Sequence, residues 1–316
     1  ERSAMAKPNL LMIVPAKWTD LETAAPGECA VNILLHGRDA YAPENIDYVL
    51  SFRPPQGLLK SFSNLKAAFA LGAGVDGFLA DPAYPKRVPL VRFADRTLSA
   101  EMAQFVLMHV LIRHRQQRLF DEAQAKRQWQ QMMLPRRTED TRIGMLGLGE
   151  IGSFTAARLI EFGFPVASWS RSRKNLPGLK SFAGEAELDA FLARTDILVC
   201  LLSLTRKTAG ILNAKAFAAM PQDGFVINVA RGEHLVEADL IAALDSGHLS
   251  GAVLDVFDQE PLPETSRLWR HPKITVTPHI AAISQPAIVF GTVLGGIAAF
   301  ERGEKPDHIV DVEKAY

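Results

Sequence analysis

Cysteine is nearly absent from this chain. Its 316 residues include only Cys29 and Cys200, far apart and outside any CxxC or CxH spacing. That excludes a disulfide-stapled scaffold, and no bound metal is expected. Two reduced structural thiols suit a reducing cytoplasm, which is the expected location. Net charge is lacking as well: Lys+Arg and Asp+Glu balance at 35 each, so nothing marks a nucleic acid as partner. Low-complexity segments and repeats of solenoid length do not occur. With 48% hydrophobic and 22% charged residues, the profile is that of an ordinary soluble globular protein.

Long hydrophobic runs are scarce too. "LLMIVPA" (10–16) is too short for the apolar region of a secretory leader and has no small-residue cleavage pattern behind it, so it reads as a first strand. The opening "ERSAM" is set aside from the fold reading. Residues 280–300, "IAAISQPAIVFGTVLGGIAAF", carry no charge and would just span a bilayer. Ser284, Gln285 and Pro286 interrupt that stretch, however. A buried helix beginning near Ser284, with Pro286 in its first turn, fits better, and no membrane is expected as a partner.

What is present is an alternation of short apolar strands with helical patterns, which argues for an α/β fold with mostly parallel sheets. Strands are expected at 9–14, 31–35, 47–52 and 66–71, followed by a long helix over 98–120. Met102, Phe105, Val106, His109 and Ile112 fall near one face of that helix, as core or interface packing. Polar "QWQQMMLPRRTEDT" (128–141) leads into a second set of strands at 142–146, 165–169, 196–202, 225–230, 252–257 and 274–277. A helix over 237–247 ends at Gly247. The last helix, from about 285, returns to the first unit. The first domain is therefore expected to be discontinuous, 1–102 with 286–316, and the second, 103–285, to be inserted into it.

Gly147, Gly149 and Gly152 form G-x-G-x-x-G around Glu150 and Ile151. "TRIGML" precedes them as a strand and "SFTAARLIEFG" follows as a helix, which is the context that gives the pattern meaning. Gly147 permits the tight turn, Gly149 lets backbone approach a pyrophosphate, and Gly152 lets helix pack on strand. The N–H groups at the helix start hold the anion. Such units usually place an acid for the ribose about 20 residues later. Here "WSRSRK" (169–174) has none. Arg171, Arg173 and Lys174 attract a 2′-phosphate, and Ser170 and Ser172 can donate to it, so NADP(H) is expected in preference to NAD(H).

Three polar residues each follow an apolar strand of the second domain: Arg231 after "FVINVA", Glu260 beyond "AVLDVF" and His279 after "ITVTP". In a parallel sheet all three belong to the carboxyl edge, where ligands bind. An arginine fork grips a carboxylate or carbonyl. Histidine gives a proton to a carbonyl oxygen as hydride arrives at carbon. A carboxylate beside the histidine favours the imidazolium and fixes its orientation.

"LGLGEIG", "NVARGEHLVEADLIAALDSGHLSGAVLDVFDQEPLP" and "TPHIAA" strongly resemble the D-isomer-specific 2-hydroxyacid dehydrogenase family over nearly the whole chain. "LGAGVD" (71–76), "WSRSRK" and "ARGEH" look most like its NADPH-dependent glyoxylate/hydroxypyruvate reductase A branch. The resemblance implies two Rossmann-like or flavodoxin-like domains, one binding substrate and one binding NADP, with the active site in the cleft between them. It implies Arg231 as substrate anchor, His279 as acid/base and Glu260 as its partner. It also implies that Asp255 meets the nicotinamide carboxamide, that Leu202, Ser203 and Thr205 line the cofactor, and that backbone at Ala73, Gly74 and Val75 binds the substrate carboxylate. The implied reaction is NADPH-dependent reduction of a small 2-oxoacid, glyoxylate to glycolate or hydroxypyruvate to D-glycerate. A homodimer is implied through the second domain, with the helix at 98–120 contributing. Two other readings are a dehydrogenase of bulkier 2-oxoacids and a nicotinamide-sensing binding protein like the C-terminal-binding corepressors. A formate dehydrogenase of this architecture would put Gln, not Glu, opposite the histidine.

Overall fold

The computed structural model of the chain describes residues 7–14 and 31–312. "ERSAM", the end of "LLMIVPA" and Cys29 lie outside the described residues. Two compact units divide the chain: Glu1–Asp95 with Ser284–Tyr316, and Arg96–Ile283. The first is discontinuous. The first junction falls at 95/96, before 102/103, because the helix that starts at Arg96 goes whole with the second unit; the second falls at 283/284, before 285/286.

Five parallel strands build the first unit: β1 (Asn9–Ile13), β2 (Asn32–Leu35), β3 (Tyr48–Ser51), β4 (Ala67–Ala70) and β5 (Leu90–Val91), in the order β2-β1-β3-β4-β5. That is the flavodoxin-like doubly wound order. β3 and β4 are buried at every position, as strands covered on both faces must be. A short helix α1 (Asp76–Leu79) follows β4.

The second unit opens with helix α2 (Arg96–His114) and helix α3 (Gln117–Ala125). The single helix expected over 98–120 is thus broken, because Gln116 takes a left-handed conformation at φ 58° and ends the i to i−4 ladder. Met102, Phe105, Val106 and His109 are buried as expected, whereas Ile112 is half-buried. Behind α2 packs helix α4 (Glu150–Glu161).

Seven strands follow: β6 (Ile143–Leu146), β7 (Val166–Ser170), β8 (Leu179–Ala183), β9 (Ile197–Cys200), β10 (Gly224–Asn228), β11 (Leu249–Leu254) and β12 (Ile274–Val276). All pair in parallel, in the order β12-β11-β10-β9-β6-β7-β8. This is the Rossmann order, with its switch point between β6 and β9. Short helices α5 (Leu188–Leu192) and α6 (Ala214–Ala219) and helix α7 (Glu237–Asp245) accompany the sheet, and Gly247 ends the last at φ +77°. The uncharged stretch 280–300 resolves into a loop and helix α8 (Pro286–Glu301), with Pro286 at its first position. Among the described residues no helix is long and apolar enough to cross a membrane.

Candidate active site

β6 ends at Leu146 and α4 starts at Glu150, so the glycines occupy the turn at the switch point. Gly147 has φ +96°, and a Cβ on it would meet the Leu201 carbonyl oxygen at 2.7 Å. A Cβ on Gly152 would meet the Gly147 carbonyl oxygen at 2.5 Å. Both positions therefore need glycine for the protein's own packing. Gly149 differs: a Cβ there would have no atom of the described residues within 4 Å. An open backbone surface at the N-terminus of a twelve-residue helix fits a diphosphate, which the N–H groups at a helix start and the helix dipole favour.

The Gly147 N–H donates to the Trp169 carbonyl at 2.9 Å, which seats the basic turn beside the glycines. Arg171, Ser172, Arg173 and Lys174 are exposed. Ser170 is buried and its hydroxyl donates to the Ser172 carbonyl at 2.8 Å, closing the turn. Arg173 Nη1 donates to the Ser181 carbonyl at 2.7 Å, and Nη2 pairs with the Glu187 carboxylate. The Lys174 N–H donates to Ser181 Oγ at 3.0 Å. After β9, Leu202 is brought against Gly147. Thr208, which the sequence did not single out, holds the same loop: its hydroxyl accepts the Thr205 N–H at 2.8 Å and donates to the Ser203 carbonyl at 2.8 Å. Cys200 is fully buried, and burial pushes its thiol up to about 12, an inert side chain.

Arg231, Glu260 and His279 gather at the carboxyl ends of β10, β11 and β12. His279 Nδ1 lies 2.8 Å from Glu260 Oε2, and the Phe257 N–H donates to Glu260 Oε1 at 3.0 Å. Burial would raise the Glu260 carboxyl. The His279 hydrogen bond, the Phe257 N–H and the charges of His279 and Arg231 outweigh it and hold the group below its ordinary value. An ionised Glu260 favours the tautomer with Nδ1–H facing the carboxylate.

His279 sits at φ 54°, a left-handed conformation that costs a non-glycine residue about 1–3 kcal/mol. Asp255, immediately after β11 and 1% exposed, imposes it. Its Oδ1 accepts from the Thr277 hydroxyl at 2.6 Å and the Ile280 N–H at 2.9 Å, its Oδ2 from the Ala281 N–H at 2.9 Å, and its carbonyl from the His279 N–H at 2.8 Å. Asp255 thus clamps the segment on both sides of His279. Arg231 is half-buried three residues beyond β10, and its Nη1 donates to the Ala230 carbonyl at 2.6 Å.

In the first unit, Ala73, Gly74 and Val75 form the loop between β4 and α1, at the carboxyl end of a central strand. Among the described residues, no hydrogen bond from their N–H groups competes for an anion at this loop.

Residues 107–281 match the model of the D-isomer specific 2-hydroxyacid dehydrogenase, NAD binding domain. The glyoxylate/hydroxypyruvate reductase A of Yersinia enterocolitica is 42% identical over 275 residues, covering 85% of this chain and 88% of that protein. The chain belongs to the D-isomer-specific 2-hydroxyacid dehydrogenase family. As a 2-hydroxyacid dehydrogenase it is an oxidoreductase with an NAD-binding domain. Two solved structures carry the likeness over almost the whole chain. A D-isomer specific 2-hydroxyacid dehydrogenase from Xanthobacter autotrophicus, in complex with NADPH and MES, is 38% identical with a TM-score of 0.89, covering 98% of this chain and 100% of that one. An NADPH-dependent glyoxylate/hydroxypyruvate reductase from Sinorhizobium meliloti, in complex with NADP and sulfate, is 37% identical with a TM-score of 0.90, again covering 98% and 100%.

Proposed function

We propose that this dehydrogenase reduces small 2-oxoacids with NADPH, converting glyoxylate to glycolate and hydroxypyruvate to D-glycerate. The observation that carries the reading is the 2.8 Å pair of His279 with Glu260, beside Arg231 at the carboxyl edge of a dinucleotide-type sheet. The cofactor, when bound, supplies the hydride. Arg231 grips the substrate carboxylate and polarises its carbonyl. As the carbonyl carbon gains the hydride, the C=O π pair takes a proton from His279 Nε2 and becomes the hydroxyl. Glu260 stabilises the imidazolium that gives the proton, and Asp255 keeps His279 in place. Backbone N–H groups of Ala73, Gly74 and Val75 bind the substrate carboxylate.

The cofactor is NADP(H) in preference to NAD(H). The exposed cations of "WSRSRK", with no acid in the turn, support that choice, as do the NADPH and NADP in the two related structures. Gly147, Gly149, Glu150, Ile151 and Gly152 take the diphosphate. Ser170, Arg171, Ser172 and Arg173 surround the 2′-phosphate, and Leu202, Ser203, Thr205 and Asp255 lie towards the nicotinamide. The protein works in the cytoplasm as a homodimer. Trp129 and Met133, 98% and 91% exposed in the segment after α3, are apolar surface that a second copy covers.

Initial rates of NADPH loss with glyoxylate, hydroxypyruvate and a branched 2-oxoacid test the reading. Fast turnover of the first two supports it, whereas turnover of the branched acid alone assigns the site to bulkier substrates.

A further inference from the structure

Nine of the described glycines take a left-handed backbone angle. Gly232 is different. It follows Arg231, it is buried, and its φ lies outside the left-handed region. A Cβ built on it would stand 1.8 Å from the Phe257 carbonyl carbon, 2.1 Å from the Asp258 nitrogen and 2.3 Å from the Phe257 oxygen. At Gly77 and Gly152 the corresponding backbone approach is 2.5 Å. The loop after β10 therefore presses its bare Cα against the peptide that joins Phe257 to Asp258, in the loop after β11.

Both sides of that contact lead to reacting groups. On one side the Arg231 carbonyl accepts from Asn228 Nδ2 at 3.0 Å and lies 3.2 Å from His234 Nδ1. Asn228 and His234 are fully buried, so the backbone that carries the arginine cannot drift. On the other side the Phe257 N–H orients Glu260 Oε1, and Glu260 Oε2 meets His279.

We propose that Gly232 is a positioning residue that locks the Arg231 loop onto the Phe257–Asp258 peptide, so that the substrate anchor and the Glu260–His279 pair are held as one unit. The inference rests on the roles proposed above for Arg231 and His279. Any side chain at position 232 forces one loop away from the other, and reactant groups misplaced by about 1 Å can cost about 100-fold in rate. Because the effect runs through Glu260, it is not additive with loss of that carboxylate.

The test is a double-mutant cycle of Gly232→Ala and Glu260→Gln in the full-length enzyme, with kcat, the glyoxylate KM and NADPH binding by fluorescence. A second readout needs no turnover: the downfield NMR resonance of the His279 Nδ1 proton, assigned by its loss in Glu260→Gln. The expected result is a fall of about 100-fold in kcat/KM for Gly232→Ala, with NADPH affinity kept and the downfield resonance lost or shifted. In the Glu260→Gln background the same change costs less than about tenfold. An equal cost in both backgrounds, or an unaltered resonance, overturns the proposal. A wild-type enzyme inactive on 2-oxoacids refutes the functional reading instead, and the resonance still decides the contact. Where Gly232→Ala does not fold, Asp258→Gly loosens the same peptide at an exposed position without added bulk. A resonance and kcat unchanged in that variant overturn the proposal equally.

Discussion

Glu260 divides its carboxylate between two partners: Oε2 meets His279 Nδ1 at 2.8 Å, and Oε1 accepts the Phe257 N–H at 3.0 Å. Glu260→Gln keeps the shape and removes the charge. Since a positioned acid contributes about 10²–10⁴-fold, kcat for reduction is expected to fall by about tenfold to 100-fold, read from initial rates at saturating NADPH.

The same pair has a pH signature. The folded Glu260 carboxyl lies below its ordinary value, so its contribution to stability is present above the unfolded value, about 4.3. It is lost only as pH falls through the lower folded value. The Tm gap between wild type and Glu260→Gln is therefore expected to hold from neutral pH down to about 4.3 and to close below it. A gap that opens on acidification contradicts the assignment.

Asp255 is expected to act through His279. Asp255→Asn replaces one carboxylate oxygen by an NH2 that faces donors, either the Thr277 hydroxyl and Ile280 N–H or the Ala281 N–H. Each buried donor left unsatisfied costs about 1–3 kcal/mol. Thermal unfolding should show a lower Tm, and kcat should fall by about tenfold or more as the His279 turn relaxes.

Arg171→Ala tests the reading of the basic turn. A charge-assisted bond is worth about 1.5–3 kcal/mol, so the NADPH KM is expected to rise about 10–100-fold with the NADH KM little changed. Equal loss with both cofactors excludes a 2′-phosphate contact.

His109 is buried on α2, and its Nε2 has no hydrogen-bond partner among the described residues. Burial, with the nearby Arg118 charge, lowers its pKa. The unfolded chain takes up this proton near pH 6.5 while the fold resists it, so stability falls as pH drops below that value. His109→Leu is expected to show a smaller loss of Tm between about pH 7.5 and about pH 5.5. His114, also lowered by burial, retains part of the slope.

The central strands were legible because strands buried on both faces read as unbroken apolar runs, as Ile197–Cys200 does. β8 was not, since this edge strand is nowhere fully buried and "LKSFA" lacks such a run. β5 has two residues, too few for any periodicity. Arg231, Glu260 and His279 stood out because each follows a strand of the expected type. Asp255 could be named but not its clamp, because those bonds reach 22 to 26 residues along the chain. The need for glycine at 232 is a contact between two loops, and nothing in "ARGEH" signals it.

The most direct measurement is NADPH oxidation with glyoxylate by wild type and by His279→Ala, alongside NADPH binding to both. The expected result is stoichiometric turnover by wild type, at least about 100-fold slower turnover by the variant, and equal cofactor affinity. A variant that turns over near the wild-type rate contradicts the assignment of His279 as proton donor.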